Sequence, residues 1–265
     1  MITTIVHRPY VFAFLIAFLV LGRIYWGWRK TFIWLIIGYV VAWISEFSSI
    51  HNGFPYGLYH YIYENMTGEL MVAGVPFWDS LSYPFMIFAG YTTAKFILRH
   101  PEPLAKDPVN VDKHQSFFAT LRMTAPAALL GALLTMLLDV IIDPLTVLGD
   151  KWFLGKIYYY PNGGQYFGVP LTNFAGWFLV PLVVIILFLF VVAKLEIASS
   201  PLGTCNDKHK LTHFLNPLFY LAIAIFNIII TIYIGETLLA SINCLLLIPV
   251  VYLIKRRVMG FQHTP

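Results

Sequence analysis

The sequence predicts an all-α fold, a polytopic membrane helical bundle of about seven transmembrane helices that forms one transmembrane domain over residues 1–265. Two observations predict it. Apolar residues make up 59% of the chain and charged residues only 11%, where a soluble domain carries about 25% charged residues. Apolar stretches near the roughly 20 residues needed to cross a bilayer core then recur along the whole length. No long polar segment is left for a second, soluble domain.

Helices are expected at residues 9–26, 31–50, 79–98, 118–142, 173–195, 214–234 and 237–254. The first has no small-residue cleavage site behind a short apolar core, so it reads as a retained helix and not a signal peptide. The fourth carries Arg122 early and Asp139 and Asp143 late, which leaves 123–138 as its apolar centre. Basic side chains orient the bundle. Arg23, Arg29, Lys30, Lys95, Arg99, Lys106, Lys113, Arg122, Lys194, Lys208, Lys210, Lys255, Arg256 and Arg257 fall on one side, and only Arg8, Lys151 and Lys156 on the other. By the positive-inside rule this bias puts the N-terminus outside and the C-terminus in the cytoplasm of a multi-pass cell-membrane protein. The net charge of +4 gives no reason to expect a nucleic-acid partner, because the basic residues sit at helix ends.

The connections assigned to the outer side, 51–78 and 146–172, are long and rich in glycine and tyrosine; those assigned to the cytoplasm, 99–117 and 196–213, are polar and loop-like. Binding residues tend to sit on such specialised loops held by a rigid scaffold. The two outer connections echo each other. Tyr56-Gly57-Leu58-Tyr59 leads to Gly74-Val75-Pro76 and the third helix, and Gln165-Tyr166-Phe167-Gly168 leads through Val169-Pro170 to the fifth. Each follows a helix with acids near its outer end. The echo is either a duplicated helix pair with its axis along the membrane normal or a coincidence among aromatic-rich loops.

Chemistry concentrates at that outer end. Glu46 lies near the end of the second helix, Asp79 begins the third, and Asp139 and Asp143 share one face of the fourth through their i,i+4 spacing. An acid at mid-membrane costs about 2.5–3.5 kcal/mol to insert, and intramembrane ionisable residues are functional candidates by default. Two have structural alternatives: Asp79 can cap the third helix, and Asp143, next to Pro144, can mark the end of the fourth. Asn173 is expected at the start of the fifth helix, as its cap or facing a substrate. Trp43, Tyr59, Tyr61, Trp78, Tyr83, Tyr166 and Trp177 belong to an aromatic crowd that is an interfacial belt, a cation-stabilising pocket, or both. No metal site is expected. His209 and His213 have helical spacing but lie at a cytoplasmic helix start, His51 and His60 match no ligand pattern, and Cys205 and Cys244 have no metal spacing.

The motifs taken together carry a family resemblance. Glu46 is followed by Gly57-Leu58-Tyr59-His60-Tyr61, by Gly74-Val75-Pro76 with Trp78, and by Asp139-Val140-Ile141-Ile142-Asp143-Pro144 with Gly149 and Trp152. The run Tyr166-Phe167-Gly168-Val169-Pro170-Leu171-Thr172-Asn173-Phe174-Ala175-Gly176-Trp177 closes the set. This resembles the CruF-type carotenoid biosynthesis proteins, the membrane carotenoid 1,2-hydratases, over about residues 35–180. The resemblance implies addition of water to an acyclic (psi) carotenoid end group. The partners it implies are a hydrophobic carotenoid of the lycopene, γ-carotene or bisanhydrobacterioruberin type, the lipid bilayer and other carotenoid-pathway enzymes.

The acids suit that chemistry. Hydrating a terminal trisubstituted alkene needs a proton at C2, which leaves a tertiary cation at C1 for water to attack. Burial disfavours an ionised carboxyl, and a neighbouring carboxylate disfavours it further, so clustered acids can share protons, one as acid and another as base. On this reading Glu46, Asp139 and Asp143 form the acid–base set, Asp79 orients water or relays a proton, and aromatic faces flank the cation. No metal, nucleotide or redox cofactor is required. Two rivals stand beside it: a carotenoid end-group cyclase with the same protonation, and a proton-coupled membrane transporter, which the lack of paired broken helices disfavours. A retinal receptor is excluded, because residues 237–254 hold no lysine for a Schiff base.

Overall fold

The computed structural model describes residues 2–98, 113–198 and 209–262. A short helix α1 (Ile2–His7) precedes seven long ones: α2 (Pro9–Trp26), α3 (Trp28–Asn52), α4 (Phe77–Leu98), α5 (Lys113–Val147), α6 (Leu171–Ala198), α7 (His209–Tyr233) and α8 (Thr237–Gln262). Pro9 opens α2, where its missing N–H is not needed. Gly53, with φ 83°, ends α3 and returns its N–H to the Ser49 carbonyl, the left-handed stop that glycine permits.

Six helices among the described residues are long and apolar enough to cross a membrane, and the chain is a multi-pass membrane protein. The seventh long helix, α4, is less apolar because it runs through the middle of the bundle. Most of its side chains are buried, including Ser80, Tyr91, Thr92 and Thr93, so protein rather than lipid surrounds them. Several helices extend past their apolar stretches, since backbone near lipid must satisfy its own polar groups. One expectation is corrected here. Helix α5 does not stop at Asp143 but continues through Pro144 to Val147, as membrane helices can when neighbours re-satisfy the freed backbone. Of the two polar connections, 99–112 and 199–208, with Cys205, lie outside the described residues, as do the side chains of His209 and His213.

Helix α4 packs on α3, α5, α7 and α2, and α6 closes against α3 and α5. Small residues set the closest approach. A Cβ added to Gly90 would stand 2.3 Å from Thr135 Oγ1, and one on Gly131 would stand 2.9 Å from Tyr91 Cα, so α4 and α5 meet nearly backbone to backbone.

The two long connections form small sheets at one end of the bundle. Strand β1 (His60–Tyr61) pairs antiparallel with β4 (Tyr158–Tyr159), and β2 (Met71–Val72) with β3 (Val75–Pro76). The β2–β3 turn has Ala73 at φ 48° and Gly74 at φ 83°; the second connection repeats it with Phe167 at φ 48° and Gly168 at φ 87°, inside a bridge between Tyr166 and Val169. Two successive positive φ values are the tight hairpin geometry that favours glycine. A Val-Pro pair then leads into α4 in one unit and α6 in the other.

The equivalence reaches further. Asp79 and Asn173 each stand three residues beyond that proline, and Tyr83 and Trp177 seven. Tyr61 follows Glu46, and Tyr158 follows Asp143, by the same fifteen residues. Tyr61 also lies opposite Tyr158 in the β1–β4 ladder, as a local two-fold requires of equivalent residues. The pairs α3–α4 and α5–α6 are two versions of one helix–hairpin–helix unit.

Candidate active site

The repeated units bring their acids together because α3 and α5 end, and α4 and α6 begin, at the same end of the bundle. Glu46 is 1% exposed, Asp139 2% and Asp143 8%. With Asp79 they line one cavity of about 120 Å³. No lysine, arginine or histidine is among the cavity's lining residues. Four acids from three helices thus face one chamber without a cation in its wall.

Each acid has defined partners. The Asn173 amide nitrogen donates to Asp139 Oδ2 at 2.7 Å and to Asp143 Oδ2 at 3.0 Å. Asp143 also accepts from the hydroxyls of Tyr158 and of Tyr160, the latter at 3.1 Å. Ser80 Oγ donates to Glu46 Oε2 at 2.6 Å, and Tyr61 donates to Asp79 Oδ2 at 2.7 Å. Asn173 is therefore not a helix cap. It lies inside the first turn of α6, and its amide is taken up by the two aspartates. Among the described residues, no three His, Cys, Asp or Glu side chains are placed to hold a metal ion.

Aromatic side chains complete the wall. Tyr83 and Trp177 stack with centroids 4.2 Å apart and planes at 13°, and Tyr56 packs beside Trp177 at 6.0 Å. Tyr59 and Trp78 line the cavity as well. Burial, followed by the Glu46 and Asp79 charges, holds the Tyr59 hydroxyl well above the usual phenol range. Burial and then Asp143 do the same for Tyr158. These phenols stay protonated and act as donors.

Three residues expected at the site stand back from it. Tyr61 lies behind the wall, holding Asp79 and lying 3.3 Å from the Tyr59 hydroxyl. Trp43 gives its indole N–H to the Val72 carbonyl at 3.0 Å, which ties it to the hairpin. Tyr166 packs on Phe167 and Phe174 in the second hairpin. In the sequence all three belong to the outer aromatic crowd, and Tyr61 and Tyr166 also stand inside the family-like motifs.

Other residues were missed. Tyr158 and Tyr160 look like interfacial anchors in sequence, and only the repeated fifteen-residue spacing marks the first of them. Arg8 looks like an exposed outer charge. It is 2% exposed, with a fork of bonds to Glu69 (2.8 and 3.2 Å), a bond to the Leu154 carbonyl (2.5 Å) and its guanidinium 4.7 Å over the Trp78 ring. It clamps the start of α2 to both long connections. Its rarity on that side was the available signal.

Fold and site together define a polytopic helical membrane protein with an acid-lined, aromatic-walled chamber. The sequence model of the family described as carotenoid biosynthesis protein matches residues 7–250. The chain belongs to that family, and its role lies in carotenoid biosynthesis. No curated protein matches it, and no solved structure does.

Proposed function

We propose that the chain is a carotenoid 1,2-hydratase, which adds water across the terminal double bond of an acyclic carotenoid end. The observation that carries this reading is the convergence of Glu46, Asp79, Asp139 and Asp143 on one cavity with no cation in its wall. Carboxyl groups so placed, unable to pair with a base, favour shared protons. That is what protonation of an alkene demands.

The hydrogen bonds support a division of roles among the acids. Asp143 accepts from Asn173, Tyr158 and Tyr160, donors that favour its ionised form. Asp139 accepts from Asn173 alone among the described side chains, which leaves it the freer proton donor. Its proton goes to C2 of the terminal alkene, whose π electrons form the new C–H bond. The tertiary cation at C1 lies against the faces of Tyr83 and Trp177, which stabilise positive charge. Water attacks C1 and loses one proton to Asp143 or Glu46. That proton returns to Asp139, four residues along the same helix face from Asp143.

A cavity of about 120 Å³ holds several waters by volume and suits an end group, not a whole polyene. The remaining chain leaves past the apolar side of the chamber, where Phe14 of α2 and Phe226 of α7 meet at 5.6 Å. Expression in a lycopene-producing bacterium tests the proposal. Pigment heavier by one or two waters is expected; an isomer of unchanged mass with a ring would make the chain a cyclase, and unaltered lycopene would reject both.

A further inference from the structure

Trp78 lines the cavity, is 4% exposed, and its indole nitrogen has no hydrogen-bond partner among the described residues. Indole N–H is a donor only, and buried Trp normally finds an acceptor. The ring is not displaced from its place, since the Arg8 guanidinium sits over its face at 4.7 Å and the neighbouring Asp79 is held by Tyr61. Trp43, the comparable indole at this end of the bundle, has its N–H on a carbonyl. The equivalent of Trp78 in the repeated unit is Thr172, whose hydroxyl reaches the Tyr56 carbonyl at 3.4 Å. At this position a free donor therefore stands in one unit and a bonded hydroxyl in the other.

A hydrocarbon end group has no acceptor for that donor. We infer that Trp78 is an oxygen-binding position of the chamber, holding the attacking water and then the tertiary hydroxyl it becomes. The inference rests on the hydratase reading and adds to it the place from which water comes. Held by Trp78 beside Asp79, the water oxygen keeps a lone pair for C1. Its two protons remain on it until the C–O bond forms, and one then passes to a carboxylate. With the donor removed, the cation at C1 instead loses a proton from a neighbouring carbon and becomes an alkene again.

Two measurements test this. In the lycopene-producing host, Trp78→Phe keeps the ring and loses the N–H. Its hydrated product should fall about tenfold or more against wild type, with double-bond isomers of unchanged mass taking its place, and Trp78→His, which restores a ring N–H, should recover part of the hydration. Hydration by Trp78→Phe at the wild-type rate and product ratio overturns the inference while leaving the hydratase reading intact. The second measurement needs no turnover. In ¹⁵N-Trp-labelled wild-type protein, with its seven indole signals, the tertiary alcohol 2-methylheptan-2-ol should shift downfield the one indole N–H resonance that is missing from the Trp78→Phe spectrum, and the alkane 2-methylheptane should not. Equal shifts, or none, overturn the inference even where the wild type hydrates lycopene. A wild type that adds no water removes the reading and this inference together.

Discussion

Tyr83 and Trp177 lie face to face, ring centroids 4.2 Å apart, each seven residues past the Val-Pro pair of its own helix–hairpin–helix unit. The stack joins α4 to α6 in the wall that all four acids share. Its position between the two halves would give the cation of the proposed reaction an aromatic face. Replacing Trp177 by Leu should remove about 0.5–2 kcal/mol of cation stabilisation, or roughly 2- to 30-fold in turnover. Trp177→Phe should lose less. Initial rates of product formation in membranes check both, and equal rates for the Leu and Phe variants would remove the stack from the mechanism.

The acids come next. Asp139→Asn and Glu46→Gln keep shape and hydrogen bonding but cannot transfer a proton, so each should lower turnover by about 10²–10⁴-fold with the protein still accumulating in the membrane. Asp79→Asn should be milder, because the role proposed for Asp79 is on water or on a relay and not on the alkene. Pigment analysis at equal protein level separates the cases. Full turnover in both Asp139→Asn and Glu46→Gln would exclude them.

On the proposed mechanism the groups that titrate during turnover are the carboxyls and not the phenols. Tyr61 is raised well above the phenol range by burial, then by Asp79 and Glu46, and Tyr158 by burial, then by Asp143. A phenol whose value lies above about 10 keeps its proton at lower pH, so neither hydroxyl loses its donor role as pH rises through neutrality. Tyr61→Phe should therefore lower the rate and, because it removes a hydrogen bond that favours the ionised form of Asp79, move any limb set by Asp79 to higher pH without abolishing it. A limb that vanishes in Tyr61→Phe would show that this hydroxyl titrates there after all.

Most of the bundle was legible in the sequence because membrane helices announce themselves by length and apolarity. Pro9–Trp26 needed no revision. The acids were legible too, since Glu46 and Asp139 interrupt apolar runs. What escaped was whatever depends on loops folding back. The i,i+4 pair Asp139 and Asp143 could be placed on one face, yet nothing local says that Asn173, thirty residues on, bonds both. Trp43 and Trp78 look alike in sequence; only the hairpin carbonyl of Val72 takes one away from the chamber. Pro144 shows the opposite error, a local helix-stop signal overruled by surrounding protein.

Arg8 gives a stability prediction. Its guanidinium and the Glu69 carboxylate, 2% and 0% exposed, form a buried pair, and removing Arg8 leaves the buried Glu69 facing only the half-exposed His7, 3.5 Å away, among the described residues. Arg8→Met should destabilise by about 3–5 kcal/mol. Arg8→Met with Glu69→Leu should recover much of this, since an apolar pair of similar volume is often neutral. Thermal unfolding in detergent measures it. Additive losses in the double variant would mean the two side chains do not act as a pair.

Gly176 sets the position of Tyr56. A Cβ there would lie 2.4 Å from Tyr56 Cδ1, 2.9 Å from Cε1 and 3.0 Å from the Pro55 carbonyl oxygen, so something must move. The ring has little freedom to do so: its hydroxyl lies 3.1 Å from Ser45 Oγ, and its backbone N–H donates to Ser49 Oγ at 3.1 Å. Overpacking of this kind costs about 1–3 kcal/mol. Because Tyr56 and Trp177 both line the cavity, the displacement reaches its aromatic wall. Gly176→Ala should lower both melting temperature and turnover. Adding Tyr56→Leu should restore stability, as the smaller side chain clears the new methyl group, but should not restore turnover, because the wall loses an aromatic face. Gly176→Ala protein that melts and turns over like wild type would show that Tyr56 is not seated against α6 as described.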